Sequence, residues 1–326
     1  MNNKIPFLIT IDTEGDNLWS YNGKDRITTK NAGYLYRFQN LCDKYLFKPT
    51  WLVNYEMANC NKFVKFGRSV LEKDAGEIGM HLHAWNSPPI KPLGKDDNES
   101  RSYLIEFSLD VMEEKINFLT TLLKDKFNTE IVSHRAGRWA LNESYSKLLI
   151  KYGYKIDCSV TPYVNWENMK GGKLDSQGSD YTGFNTQEYF INENNIIESG
   201  SSGLLEVPMS ILPTFSYKYK NIIQAFPKIV QKIINKFCPF TIWLRPNGRN
   251  LNDMKFILDN ASKNNLNYVE FMIHSSEFMS GGSPYFKDQK SIDKLYEDLE
   301  ELMAYAKNNG FIGMTMGEFY NEYIGN

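Results

Sequence analysis

Eight short apolar runs, each followed by a longer stretch with helical spacing, constrain this chain more than any other feature. They fall at 6–12, 49–54, 77–81, 130–133, 155–160, 204–207, 267–273 and 311–315. Several are continuously apolar instead of alternating, the pattern of parallel strands covered on both faces. Between them, Ile105, Leu109, Met112, Ile116, Leu119 and Leu123 step by threes and fours along one helix face. Ile292, Leu295, Leu299, Leu302 and Ala306 repeat that pattern and run into a stop at Asn309-Gly310. Such alternation, with seven or eight parallel strands, predicts an α/β fold and a single (β/α) barrel; a doubly wound open sheet is the competing arrangement. With 326 residues, no internal repeat and no low-complexity tract, one domain spanning 1–326 is expected. A stretch at about 161–203, rich in Gly, Ser, Asn and aromatics, breaks the rhythm, and a loop insertion of this kind is expected over the C-terminal mouth.

The chemistry concentrates at the strand ends. The four histidines, His81, His83, His134 and His274, all fall at or just past the end of an expected strand, as do Asp12, Glu14, Arg135 and Asp157. In a (β/α) barrel these ends converge on one mouth. A single such histidine is readily a packed core residue; four at one face are harder to explain that way. His81 and His83 sit at i and i+2 of an extended segment, so both rings can face one cation, and imidazole suits Zn, Ni, Co or Fe. Asp12 and Glu14 alternate in the same manner, although turn and capping chemistry near Gly15 is the bland reading of both. Two histidines plus a carboxylate leave open positions, as a catalytic metal requires. The chain has no Gly-x-Ser-x-Gly elbow, no Walker loop and no GxGxxG run. Metal-dependent amidohydrolases also use an HxH pair, but at the end of their first strand; here that strand ends in carboxylates.

In order along the chain, Asp12-Thr13-Glu14-Gly15-Asp16, Glu77–Trp85, Ser133–Trp139, Asp157–Val160 and Met272–Glu277 resemble the motifs of the NodB-homology polysaccharide deacetylases, carbohydrate esterase family 4. More narrowly, DTEGD, EIGMHLHAW, HRAGRW and HSSEFMSGGSPYF resemble the WalW/WbmS-like branch associated with lipopolysaccharide and O-antigen biosynthesis. The resemblance implies a distorted (β/α) barrel, a divalent metal, usually zinc, and removal of an acyl group from an amino sugar. It implies Asp12 as catalytic base, Arg135 as its positioning arginine and His274 as general acid. Glu14 and His81 take the places of metal ligands. Two departures stand out. The family's second metal histidine would fall at Trp85, leaving His83 as the nearest substitute. Glu14 also stands where the family more often has Asp, which brings Asp16 into consideration. A catalytically inactive carbohydrate-binding barrel and a deformylase acting on a formamido sugar are the alternatives.

Substrate contacts are expected from Trp85, Arg138, Trp139 and Asp157, with Tyr163, Trp166 and Trp243 as further aromatics near the mouth. The expected partner is an amino sugar that is nucleotide-linked, lipid-linked or part of an oligosaccharide. Lys+Arg total 37 against Asp+Glu 39, a balance that argues against nucleic-acid binding. Cys42, Cys60, Cys158 and Cys238 form no CxxC pair and read as reduced thiols. With no signal-like start and no apolar span, a cytoplasmic protein acting on a precursor is expected. The segment 218–237 carries an apolar side (Ile222, Ile223, Phe226, Ile229, Val230, Ile233, Ile234) and lysines at 218, 220, 228, 232 and 236. A barrel-covering helix with snorkelling lysines is the preferred reading; weak contact with the inner face of a membrane is the other.

Overall fold

The computed structural model describes residues 4–325 apart from 22, 24, 94–100 and 174, and the backbone alone at 232 and 235–237. Its strands are β1 (Ile5–Thr13), β2 (Pro49–Val53), β3 (Glu77–Leu82), β4 (Ser133–Ala136), β5 (Ile156–Asp157), β6 (Tyr189–Asn192), β7 (Asn195–Ser199), β8 (Leu205–Glu206), β9 (Ile211–Pro213), β10 (Thr241–Trp243), β11 (Val269–His274) and β12 (Phe311–Met314). All nine residues of β1 and all five of β2 are buried, because helices cover one face and the barrel interior the other. The order β11-β1-β2-β3-β4-β5-β8 is parallel throughout. β12 pairs with Ile5–Leu8 of β1, below the stretch Ile9–Thr13 that pairs with β2. The fold is therefore a distorted (β/α) barrel with eight parallel strands, not a doubly wound sheet.

The ring is not closed by a ladder. From β8 to β11 the described residues bridge the gap by single hydrogen bonds: Leu244 N to Ser210 O (3.0 Å), Met272 N to Leu244 O (3.2 Å) and Glu270 N to Ser210 Oγ (2.8 Å). At this seam the chain leaves the barrel along β9 and returns along β10, an antiparallel pair outside the main sheet.

The helix Gln289–Asn308 buries Ile292, Leu295, Leu299, Leu302 and Ala306 as its spacing predicts. It ends at Asn309, and Gly310 follows with a φ of 85°, a conformation that costs glycine nothing. The helix Leu109–Phe127 buries Met112, Ile116, Leu119 and Leu123, but the expected face is too long at its start. Leu109 is exposed, and Ile105 belongs to a separate turn, Leu104–Glu106. The fourth strand also lies later than expected, at Ser133–Ala136 instead of 130–133, so His134 and Arg135 are inside it. The insertion divides in two. Trp166 and Met169 from its first half line the mouth, whereas β6 and β7 extend the sheet antiparallel from β8.

Candidate active site

β1 and β3 deliver their last residues side by side. Glu14, one residue past β1, is fixed through its backbone: its N–H donates to Ser275 Oγ (3.0 Å), and Asn31 Nδ2 donates to its carbonyl (2.8 Å). His81 and His83 leave β3 on one side, and their Nε2 atoms lie 3.6 and 3.3 Å from Glu14 Oε2. Ligand atoms on a tetrahedral ion with bonds near 2.0–2.1 Å sit about 3.4 Å apart, so the spacing fits a metal. The three side chains are buried, and their ligand atoms all lie within 4.8 Å of one another. His81 Nδ1 donates to the Arg135 carbonyl (3.0 Å), which fixes the ring so that Nε2 is the atom facing Glu14. Burial, reinforced by His81, pushes His83 well below the ordinary imidazole range and keeps it neutral, as a ligand must be. Its ring stacks on Trp85 at 4.3 Å. A side chain at Gly137 would collide with the Leu82 carbonyl and this ring, which is why the β4 end can pass so close.

Arg135 lies fully buried across the barrel. Nη1 donates to Asp12 Oδ1 (2.7 Å), Nη2 reaches both Thr10 Oγ1 (2.8 Å) and Glu270 Oε1 (2.5 Å), and Nε donates to the Cys158 carbonyl (3.0 Å). Burial alone would favour a neutral Asp12, but Arg135, His81 and His274 outweigh it and hold its carboxyl well below the usual range. His274 ends β11, with Nε2 3.7 Å from both Asp12 Oδ2 and Glu14 Oε1. Its Nδ1 lies 3.1 Å from Arg245 Nη2 and 3.4 Å from Glu277 Oε2. Burial raises Glu277, yet Arg245 and His274 more than offset this and keep it ionised. The indole of Trp19 meets the His274 ring edge-on at 5.0 Å.

These groups open into a cavity of about 320 Å³ walled by Trp19, Trp85, Tyr103, Trp139, Trp166 and Tyr285, with Arg101, Arg138 and Arg245 among its polar lining. Arg138 and Trp139 both hold left-handed backbone, with φ of 57° and 63°. Each such residue costs on the order of 1–3 kcal/mol. The turn is held because Tyr181 Oη donates to the Trp139 carbonyl, and Arg138 reaches the carbonyls of Arg101 and Lys170. The strain turns both side chains toward the cavity.

Asp12, Glu14, His81, His83, His274, Trp85, Arg138 and Trp139 thus line one cavity, with Arg135 behind Asp12. His134 and Asp157 do not. Because β4 alternates, Arg135 faces the barrel interior and His134 the opposite side, where its Nδ1 meets Asp157 Oδ1 (2.5 Å) and its Nε2 meets Tyr145 Oη (2.7 Å). Asp157 also accepts from Ser159 N and Oγ, so its carboxylate is engaged inside the wall and is not a substrate contact. Asp16 is spent on the following loop, accepting from Thr28 Oγ1 (2.7 Å) and Lys30 N (2.5 Å). Tyr163 and Trp243 stand behind the wall: Trp243 packs on Trp139 and Trp166, both at 6.4 Å. Sequence reasoning missed Glu270, Arg245, Glu277, Trp19 and Tyr285. Only Glu270 left a clear signal, an acid inside the apolar run of β11, since a buried charge demands a partner.

No protein family's sequence profile matches the chain, and no curated protein matches it in sequence. Solved structures do match. A candidate polysaccharide deacetylase from Mycobacterium smegmatis superposes with a TM-score of 0.54 at 14% identity, covering 99% of this chain and 92% of that one. A 4-alpha-glucanotransferase from Thermococcus litoralis gives 0.51 at 12% identity, over 98% of this chain and 40% of that one. The carbohydrate esterase family 4 domain of a xylanase from the hindgut metagenome of Trinervitermes trinervoides gives 0.46 at 10% identity, over 98% and 92%. The first two carry different descriptions on a similar barrel, so fold alone does not assign chemistry here. The chain is similar in fold to the Mycobacterium protein along almost its whole length, and what the two share is the distorted (β/α) barrel.

Proposed function

We propose that the chain is a metal-dependent N-deacylase, most simply an N-deacetylase, acting on an amino sugar in lipopolysaccharide, O-antigen or capsule biosynthesis. The observation that carries this reading is the convergence of Asp12 and His274 on the Glu14–His81–His83 cluster. Paired carboxylates alone would also suit glycosyl chemistry. Two buried imidazoles at ligand spacing from one of the carboxylates favour a metal hydrolase instead. Three arginines among aromatic walls suit a sugar on an anionic carrier, nucleotide- or lipid-linked, better than a neutral polymer.

A divalent ion, Zn²⁺ first with Co, Ni or Fe as alternatives, would be held by Glu14, His81 and His83 and would supply an acidified water and a polarised acyl carbonyl. Asp12, kept ionised by Arg135, accepts the proton of the attacking water at the oxygen not bound to the guanidinium. His274 stands across the cavity and donates from Nε2 to the departing nitrogen, which would otherwise leave as an amide anion. Arg245 Nη2 and the Glu277 carboxylate both face its Nδ1 and hold the ring in place. Trp85, Arg138 and Trp139 hold the sugar against this pair.

The test is acyl release by zinc-loaded protein across nucleotide-linked and lipid-linked amino sugars, with a long acetylated glycan at matched amide concentration. Release from a small conjugate, lost in Asp12→Asn, is expected. Preference for the long glycan would overturn the precursor reading. Release from no substrate, with wild type and Asp12→Asn alike, would overturn the deacylase reading and favour an inactive sugar-binding barrel.

A further inference from the structure

The excursion that leaves the barrel at the seam is the least expected part of the molecule. The preferred expectation, a helix laid on the barrel, does not hold. Between β9 and β10 lie two short helices, Lys220–Gln224 and Lys228–Phe237, joined at Pro227. On these helices and the turns that flank them, apolar residues face outward: Phe215 is 73% exposed, Ile229 71%, Ile222 61% and Ile233 58%, with Phe226 and Tyr219 nearly half exposed. Other large exposed apolar side chains are spread over many elements, whereas here six fall within 215–233. The joint is organised, since Gln231 Nε2 donates to the carbonyls of Gln224 (2.9 Å) and Phe226 (2.7 Å) across the Pro227 corner.

The charge along this stretch of the chain is one-sided. Between Glu206 and Asp253 the sequence holds no acidic residue but five lysines and two arginines, in a chain whose net charge is -2. Lys218 and Lys228 are exposed beside the apolar residues; the side chains of the lysines at 232 and 236 lie outside the described residues. A second copy docked by the same face would set lysines against lysines. An apolar face rimmed by cations fits an anionic bilayer surface, where the apolar side chains enter the acyl boundary and the lysines meet headgroup phosphates. The face is also rooted at the cavity: Trp243 of β10 packs on the wall residues Trp139 and Trp166, and Tyr217 packs on Tyr163 at 5.5 Å.

We propose that the excursion at 214–240 docks the protein onto an anionic lipid surface and so sets the cavity rim beside the headgroups. This goes beyond the reading of the active site and does not depend on it. Purified full-length protein is floated with vesicles of phosphatidylcholine alone or mixed with phosphatidylglycerol, at low and high salt. Binding to the anionic vesicles is expected to be roughly tenfold or more tighter than to the neutral ones and to weaken with salt. The double substitution Ile229→Asn with Ile233→Asn should abolish flotation, and Lys218→Glu with Lys228→Glu should remove the preference for anionic lipid. Both sets lie on the surface, so thermal unfolding should match wild type, which confirms that the barrel is intact. Absence of flotation with anionic vesicles, or equal flotation with neutral ones, overturns the proposal. So does concentration-dependent dimerisation without lipid that the isoleucine variant abolishes, since a second copy would then be the occupant. Acyl release plays no part in the assay, so its failure and a failure of the deacylase reading remain separate results.

Discussion

Arg135 serves two buried carboxylates with one guanidinium, and the two fare differently. Asp12 receives the Nη1 bond and stays ionised, while burial leaves Glu270 above the usual range despite its own bond to Nη2. Asp12 is not among the clustered ligand atoms, so Asp12→Asn should keep metal affinity in a competition titration while losing ~10²–10⁴-fold in turnover. Equal loss of metal would make Asp12 a ligand. Glu277 acts at one remove, through His274. Replacing it with Gln removes the anion facing Nδ1 and leaves Arg245 alone to hold the ring. Glu277→Gln should therefore lower kcat, with KM little changed. Unchanged kcat would mean that Glu277 only caps the turn after β11.

β4 shows how much a strand's parity decides. Placing it at 130–133 puts His134 and Arg135 beyond its end, both free to face the mouth; its true position makes them consecutive ladder residues with opposite facings. The eight parallel runs were legible because continuous apolar stretches leave little alternative, and Asp12, Glu14, His81 and His83 because i, i+2 spacing fixes a common side. Arg245, Trp19 and Tyr285 were not legible, since they reach the cavity from segments whose paths depend on tertiary packing. The His134–Asp157 pair is sealed in the wall, and His134→Ala would leave a buried carboxylate without its partner. A loss of roughly 3–5 kcal/mol is expected in urea unfolding. Glu77 fastens β3 to its neighbours at the far end, accepting from Ser133 Oγ and from Gly317 N (2.7 Å). Burial raises its carboxyl above the ordinary value of 4.5 in spite of these bonds. The folded state thus keeps a proton that the unfolded chain sheds, so this contribution is complete below that value and fades as pH climbs through the folded one. Urea midpoints of wild type should fall over this window relative to Glu77→Gln, and a constant gap between the two would refute the assignment.

At the scale of the whole molecule, stability is unevenly distributed between ladder and seam. β1 pairs with β2, β11 and β12, whereas the junction of β8 with β11 rests on single hydrogen bonds through Ser210 and Leu244. Amide hydrogen exchange should be slowest in β1 and β2 and fastest, among buried amides, at Leu244 and Met272. A metal held by Glu14, His81 and His83 would join β1 to β3 near the mouth, so under the proposed function chelation should lower the melting temperature and zinc should restore it in proportion to the logarithm of its concentration. Glu14→Ala should remove that response.

The open seam also gives the fold an evolutionary freedom. β9 and β10 form a closed stem, with Thr214 N donating to the Phe240 carbonyl at 2.9 Å, so the chain between them can lengthen, shorten or change character without breaking a rung of the barrel. Each doubling of such a loop costs only about 0.6 kcal/mol in closure entropy. A short Gly/Ser turn grafted in place of 216–238 should therefore leave the far-ultraviolet circular dichroism of the barrel and its zinc affinity intact. Selection can thus rewrite where such a barrel is stationed while leaving untouched the residues that decide what it does there.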